Sequence, residues 1–545
     1  MKSNPKFDAK IERETRCKNP SGNSKRESIA NFESKIEREN AAWKAKMGTG
    51  KWYRETGRFS SSELPISSPD FRVSSFQFRV AALAVVLGYA AFQWGGVARS
   101  NQFQFLLALG LLAIVATLAR PRGAWGPLPG RAVRLAAAAL PAYVLLQVVP
   151  LPVAALRVLS PARAEGVAAL VRIGAKIRFA SLSVSPAATF QSFLLVCGYV
   201  IVFLLVRELT WRSEDSCWLA IWPIVTLGAL EAGLGLWQNF GRTGEAAQWG
   251  TYVNHNHYAG FLEMALPFAV MYPVALLRRA RRRGNASLAP SLVACSVWGL
   301  GGLIFAGIVF SFSRMGFIAA LFSLFVVGTL ALGNRQLNWV AGARRRQAGA
   351  AGVVAALVLG GFVFLPSDKL ILRFAEIASV EGLTAEGRLE LWAETIPLIK
   401  AYPLFGCGLG GYETAVSKFK VSHPLVTDDY AHNDYLQLLA ELGLVGFLIV
   451  AVPAFSVVSA SLKKAVVPRN QEERYLAVAC AAALAAILLH SLVDFNLYIP
   501  ANAMLLAWIA GMAAGSGLPS PLPVWRPHVD SNSSALEAVE VDSCR

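Results

Sequence analysis

A few polar side chains stand out from an otherwise apolar chain. They are Arg314 in Ser311-Phe312-Ser313-Arg314-Met315-Gly316, Arg388 at the head of Leu389-Glu390-Leu391-Trp392, and His432-Asn433 just before an apolar run. A guanidinium presents a planar fork that can grip a phosphate with two hydrogen bonds. An imidazole near neutral pH is suited to taking a hydroxyl proton. Together these types suit a site that holds an anion and deprotonates a hydroxyl. Each also has a plainer reading. Arg314 can be a snorkelling interfacial anchor, Arg388 can pair with Glu386 or Glu390 on a solvated face, and His432 can cap a helix or pair with Asp428 or Asp429.

Other residues are candidates for holding a substrate. Asn254, His255, Asn256 and His257 form a polar run suited to sugar hydroxyls. Two His with one intervening residue and no carboxylate beside them make a poor metal site, so no metal is expected. Leu389, Trp392, Ile396 and Ile399 share one face of a helix, which makes Trp392 a candidate contact. The glycines at 406, 408, 410 and 411 match neither a dinucleotide nor a P-loop fingerprint. Gly406 and Gly408 can bring the backbone close to a phosphate or sugar, or simply make a tight turn. His490 and Asp494 fit a buried structural pair that orients its neighbours.

The elements that must position these residues are membrane helices. Hydrophobic residues make up 54% of 545 positions, charged residues only 16%, and mean hydropathy is +0.44. A soluble domain carries about 25% charge. Twelve apolar runs approach bilayer-spanning length: 76–96, 103–119, 133–150, 190–206, 218–239, 258–277, 288–310, 316–333, 349–365, 443–462, 475–492 and 500–515. With the N-terminus inside, the inner loops 120–134, 207–217, 278–285, 334–347 and 463–474 hold 19 Arg and Lys. The short outer loops near 95–102, 240–257, 310–315 and 490–500 hold 3. Positive-inside bias therefore places both termini in the cytoplasm and the long loop 366–431 outside. Loop 151–189 goes against the rule, with Arg157, Arg163, Arg172, Lys176 and Arg178 on the outer side. It is either positional noise or an interfacial element that meets lipid phosphates.

The net charge of +17 follows largely from this bias and from a basic N-terminal tail, and with no recognition motif it implies no nucleic acid. Residues 1–72 read as a disordered cytoplasmic tail, 73–515 as the transmembrane domain and 516–545 as a second cytoplasmic tail. The seven cysteines are divided between spans, inner segments and the lone outer Cys407, so no disulfide framework is expected.

The blocks Gly387-Arg388-Leu389-Glu390-Leu391-Trp392, Tyr402-Pro403-Leu404-Phe405-Gly406-Cys407-Gly408-Leu409-Gly410-Gly411-Tyr412-Glu413 and Ala431-His432-Asn433-Asp434-Tyr435 resemble the signature region of the O-antigen ligase and polymerase superfamily. The segments around Asn254–His257, Ser311–Gly316 and His490–Pro500 resemble that family's flanking motifs, and Met315 stands where relatives often carry Gly. The resemblance implies an all-α, polytopic inner-membrane bundle of about 12 transmembrane helices with one large, partly helical periplasmic loop. It implies a metal-independent, inverting glycosyltransferase without cofactor. Such an enzyme moves a glycan from an undecaprenyl-pyrophosphate carrier to a hydroxyl of lipid A-core, a polysaccharide or a protein, at the outer side of the bacterial inner membrane. Arg314 and Arg388 match its pyrophosphate-binding positions and His432 its candidate base. A flippase for lipid-linked sugars or a non-catalytic assembly scaffold are the rival readings.

Overall fold

The structure is a computed structural model that describes residues 75–118, 130–212, 218–241, 249–284, 287–332, 385–421 and 428–516. The helices are α1 (Ser75–Phe92), α2 (Arg99–Leu118), α3 (Arg131–Val148), α4 (Val153–Leu159), α5 (Pro161–Arg172), α6 (Pro186–Arg212), α7 (Trp222–Gly241), α8 (His255–Arg282) and α9 (Ala289–Phe310). They continue with α10 (Arg314–Leu332), α11 (Ala385–Ala401), α12 (Tyr412–Val416), α13 (Asp434–Val466), α14 (Gln471–His490) and α15 (Pro500–Gly515). A two-residue antiparallel ladder pairs β1 (Leu151–Pro152) with β2 (Phe179–Ala180).

Among the described residues, nine helices are long and apolar enough to cross a membrane: α2, α3, α6, α7, α8, α9, α10, α13 and α14. The expected first and last spans form the shorter apolar helices α1 and α15. The expected span 349–365, the tail 1–72, residues 366–384 of the long loop and nearly all of 516–545 lie outside the described residues. The described part is an all-α polytopic bundle.

Helices α8 and α14 are the most deeply buried spans and form its centre. Helix α14 reads Ala-Val-Ala-Cys-Ala-Ala-Ala-Leu-Ala-Ala-Ile through its middle, and such small residues let neighbouring backbones approach closely in a membrane protein. It packs against α8, α10 and α13, while α15 packs against α6.

Helix α13 breaks at Gly443, where φ is +62°. A break strands backbone groups that the hydrocarbon cannot satisfy, and here the segment 403–408 satisfies them. Leu444 N–H donates to Pro403 O at 2.8 Å and Val445 N–H to Leu404 O at 3.1 Å. In return Cys407 N–H donates to Ala440 O at 2.9 Å and Gly408 N–H to Glu441 O at 3.0 Å. A Cβ on Gly406 would fall 2.1 Å from the Glu441 carbonyl oxygen, and one on Gly408 would fall 2.3 Å from Ser183 Oγ. These two buried glycines therefore serve contacts within the chain. Of the two readings open to them, these contacts favour the tight turn over close approach to a phosphate or sugar.

The face of α11 through Leu389 and Ile396 is not the buried one. Leu391, Thr395, Leu398 and Tyr402 point inward, whereas Leu389 and Ile396 are exposed. Two apolar stripes compete on this helix, and the inner one wins through Thr395, whose hydroxyl meets Tyr412 at 2.7 Å in the core.

Candidate functional site

His432 sits between Trp392 of α11 and the start of α13. The indole Nε1–H of Trp392 donates to Ala431 O at 2.9 Å. Asn433 is the N-cap of α13, accepting from the N–H groups of Tyr435 and Leu436 at 3.0 and 3.1 Å. This is the geometry expected of an Asn cap. Between these two anchors His432 takes φ = +47°, a left-handed conformation that costs a non-glycine residue roughly 1–2 kcal/mol. The strained backbone holds Nδ1 of His432 3.5 Å from Asp494 Oδ1. The side chain is 23% exposed, so the imidazole is reachable from outside, whereas Asp494 is buried at 1%. His432 therefore pairs with Asp494 from a distant segment; Asp428 pairs instead with Lys420.

Asp494 lies between α14 and the 3-10 turn Asn496–Tyr498. Nε2 of His257 lies 3.5 Å from the same Oδ1 atom, and Phe495 N–H donates to it at 2.9 Å. Burial works against charge on this carboxyl. The two imidazoles outweigh that and hold it well below the usual carboxylate range. The Phe495 ring lies edge-to-face with both His257 and His432 and stacks on Tyr430 at 4.1 Å. Both imidazoles are thus fixed by one aromatic ring and one carboxylate.

A polar chain joins this centre to the turn that carries Arg314. Asn254 caps α8 by accepting from Asn256 N–H at 2.8 Å. Asn256 Oδ1 accepts from Ser313 Oγ at 2.7 Å, and His255 Nδ1 reaches Ser311 O at 3.2 Å. Ser313 Oγ in turn accepts from Gly316 N–H at 3.1 Å and closes the first turn of α10. Phe312 has φ = +56°, so the link into α10 is a sharp reversal that leaves Arg314 exposed at the helix start. Of the run 254–257, Asn254 and Asn256 hydrogen-bond within this scaffold, His255 braces the turn and packs at a tilt against Trp249, and His257 reaches the Asp494 centre.

Arg388 lies one helical turn before Trp392, hence on the same side of α11. It is half-buried, and its Nε is buried with no hydrogen-bond partner among the described residues. Both arginines therefore stand on elements tied to the His432 segment, Arg388 through Trp392 and Arg314 through Asn256 and His257.

His490 and Asp494 share the polar centre, but not as a mutual pair. His490 Nδ1 bonds Glu263 Oε2 at 3.0 Å, with both side chains fully buried. Glu263, Asp434, Asn496 and Asn502 were not among the sequence candidates. Asp434 accepts from Leu497 N–H at 3.2 Å, and Asn502 donates to both His257 O and Asn496 Oδ1 at 2.9 Å. The signal for Glu263 was present: an isolated carboxylate inside a span is costly unless it has a partner. Among the described residues no cluster of His, Cys, Asp or Glu is arranged to hold a metal ion.

On the other side of Tyr498, an apolar groove of about 370 Å³ runs between α3, α6, α13, α14 and α15. It extends from Val133 and Ala510 to Leu409, Leu442 and Tyr498. Tyr498 is 5.7 Å from Tyr430, ring to ring, so the groove ends beside the segment that leads into His432.

Comparison with curated proteins finds no match to this chain. The O-antigen ligase family model matches residues 296–451, a segment that holds Arg314, Arg388 and His432 but not His257 or Asp494. That match makes this part of the chain similar to the O-antigen ligase family and supports a place in the O-antigen ligase and polymerase superfamily, with a role in surface-polysaccharide synthesis.

Proposed function

We propose that this protein transfers a glycan from a polyprenyl-diphosphate carrier, undecaprenyl pyrophosphate in a bacterium, to an acceptor hydroxyl, with inversion and without a metal. The observation that carries this reading is the partly exposed imidazole of His432, held by buried Asp494 on a segment tied to elements that carry two arginines. As the glycosidic bond breaks, negative charge grows on the diphosphate. In this reading Arg388 and Arg314 stabilise that charge without reorganising. The acceptor oxygen attacks the anomeric carbon while its proton passes to His432, and ionised Asp494 favours the resulting imidazolium. The carrier bond supplies the driving force, so no nucleotide is consumed.

The apolar groove suits the carrier's tail, since pockets of about 300–1,000 Å³ are typical of bound ligands and this one ends near the reacting groups. In this reading the site end of the bundle faces the periplasm, both termini are cytoplasmic and the membrane is the bacterial inner membrane, as the positive-inside count supports. Lipid A-core, a growing polysaccharide or a protein can each supply the acceptor hydroxyl.

The test is transfer by purified protein from a polyprenyl-diphosphate-linked glycan to candidate acceptors, without ATP and in the presence of chelator. Product in which the glycan has left the carrier with inverted anomeric configuration is expected. Movement of the intact lipid-linked glycan between leaflets, with the carrier bond unbroken, would overturn the reading.

A further inference from the structure

The segment between α3 and α6 contains two faces of opposite character. Its inner face is built into the scaffold around the site. Leu156, Ala164 and Leu182 form a small core, and Arg163 Nε donates to Ser181 O at 3.1 Å. Ser183 N–H donates to Gln147 O at 2.9 Å, and Val184 N–H to Cys407 O at 2.8 Å. Gln147 Nε2 donates to Phe405 O and Glu441 O at 2.7 and 2.9 Å. This face therefore braces the segment that plugs the break in α13.

The outer face is apolar and basic at once. Val158 and Ile173 are each 81% exposed and Phe179 60%, with Leu170 and Val171 also exposed. Around them stand Arg157, Arg172, Lys176 and Arg178, all exposed, and the side chains of these four have no ion-pair partner among the described residues. The lone acid of the segment, Glu165, is drawn toward Lys418 at 3.7 Å. Large apolar side chains left in water among cations are costly. The same combination is favourable where acyl chains meet phosphate groups.

The position of the segment agrees. α3 and α6 are both long and apolar enough to span a membrane. Leu151 begins β1 three residues after α3 ends, and Pro186 begins α6 six residues after β2 ends. Connections of three to six residues reach roughly 10–20 Å, so the segment is held close to the membrane surface at the end that carries His432.

We infer that the outer face of residues 151–180 is a docking surface for anionic phospholipid head groups. The apolar side chains of Val158, Leu170, Val171, Ile173 and Phe179 enter the acyl border, while Arg157, Arg172, Lys176 and Arg178 bind lipid phosphates. This accounts for a basic cluster on a short loop that the positive-inside rule disfavours: its charges are used locally. It goes beyond glycan transfer and stands or falls separately from it.

The test is photocrosslinking of full-length protein carrying a benzophenone amino acid in place of Ile173, in nanodiscs of equal phosphatidylglycerol and phosphatidylcholine. Intact mass spectrometry then identifies the adducts. Phosphatidylglycerol adducts should exceed phosphatidylcholine adducts by at least about fivefold. Changing Arg157, Arg172, Lys176 and Arg178 to Gln should return the ratio toward one, while the same probe at lipid-facing Phe325 gives no preference in either background. An unchanged elution volume of the Gln variant shows that it folds. Absence of lipid adducts at position 173, or a preference that survives the four Gln substitutions, would overturn the inference.

Discussion

On one side of the Tyr430, Phe495 and Tyr498 rings lie His257, Glu263, His432, Asp434, His490 and Asp494; on the other lies a groove between five helices whose walls are almost wholly aliphatic and aromatic. Both regions are built on α13 and α14, so the helices themselves do not explain the contrast. The polar side keeps charge in the bundle by pairing it: two imidazoles share one carboxylate, and a third imidazole meets Glu263. Even so, Asp494 Oδ2, His490 Nε2, Glu263 Oε1 and Asn496 Nδ2 are buried without a hydrogen-bond partner among the described residues. Each such atom costs about 1–3 kcal/mol. The groove bears no comparable cost. A bundle that tolerates such penalties on one side of an aromatic divider and avoids them on the other fits the proposal that a polar head and an apolar tail are held separately.

That division predicts which substitutions affect chemistry and which affect only binding. The largest effect should come from the exposed side of the polar region. His432→Ala should lower turnover at least about 100-fold with donor binding retained, as loss of a general base does. Arg388→Ala should cost about 100- to 1000-fold, as loss of one charge-stabilising donor does, with Lys rescuing only partly because it lacks the fork. Single-turnover assays beside donor-binding measurements check both. Full turnover by either Ala variant would remove that residue from the site.

An intermediate effect is expected at Asp494. Asp494→Asn keeps the shape but removes the charge that favours imidazolium. Turnover should fall about 10- to 100-fold. The stability consequence has a definite sign. Asp494 is held below its ordinary value, so its contribution is present above the unfolded carboxylate pKa of about 3.9 and is lost as pH falls through the folded value. The Tm gap between wild type and Asp494→Asn should therefore close as pH drops below about 4. A constant gap would show that Asp494 acts through packing alone.

The smallest effect belongs to the groove. Ala507→Trp should narrow it, displacing about two methylenes of a bound tail. At about 0.8 kcal/mol each, this raises KM roughly tenfold for long-chain donors. Turnover at saturation should be unchanged, as should KM for a short-chain donor. A fall in kcat with both donors would mean that the groove and the polar site are not separable.

Much of the bundle was legible because hydropathy is a local property. Eleven of the twelve expected spans coincide with apolar helices, and the twelfth lies outside the described residues. The three residues singled out for chemistry, Arg314, Arg388 and His432, were visible because a cation or imidazole in apolar surroundings stands out by composition alone. The glycines were left with two readings for a related reason. A left-handed glycine permits close approach, but the sequence does not say what approaches, and here it is the broken backbone of α13.

The sequence by itself determined that the chain is a bundle of membrane helices and that an arginine-rich, histidine-bearing set of loops belongs at one end. Periodicity and residue type are enough for that. Only the tertiary structure decided which carboxylate His432 meets. Asp428 and Asp429 are near in sequence, yet the left-handed turn between the Trp392 bond and the Asn433 cap directs the ring to Asp494, 62 positions away. It likewise decided that His257 belongs to that carboxylate, that His490 belongs to Glu263, and that the inner face of α11 is the one through Leu391 and Leu398. These choices depend on which helices cross beside one another, and pairing between buried charges is set by that proximity rather than by separation along the chain.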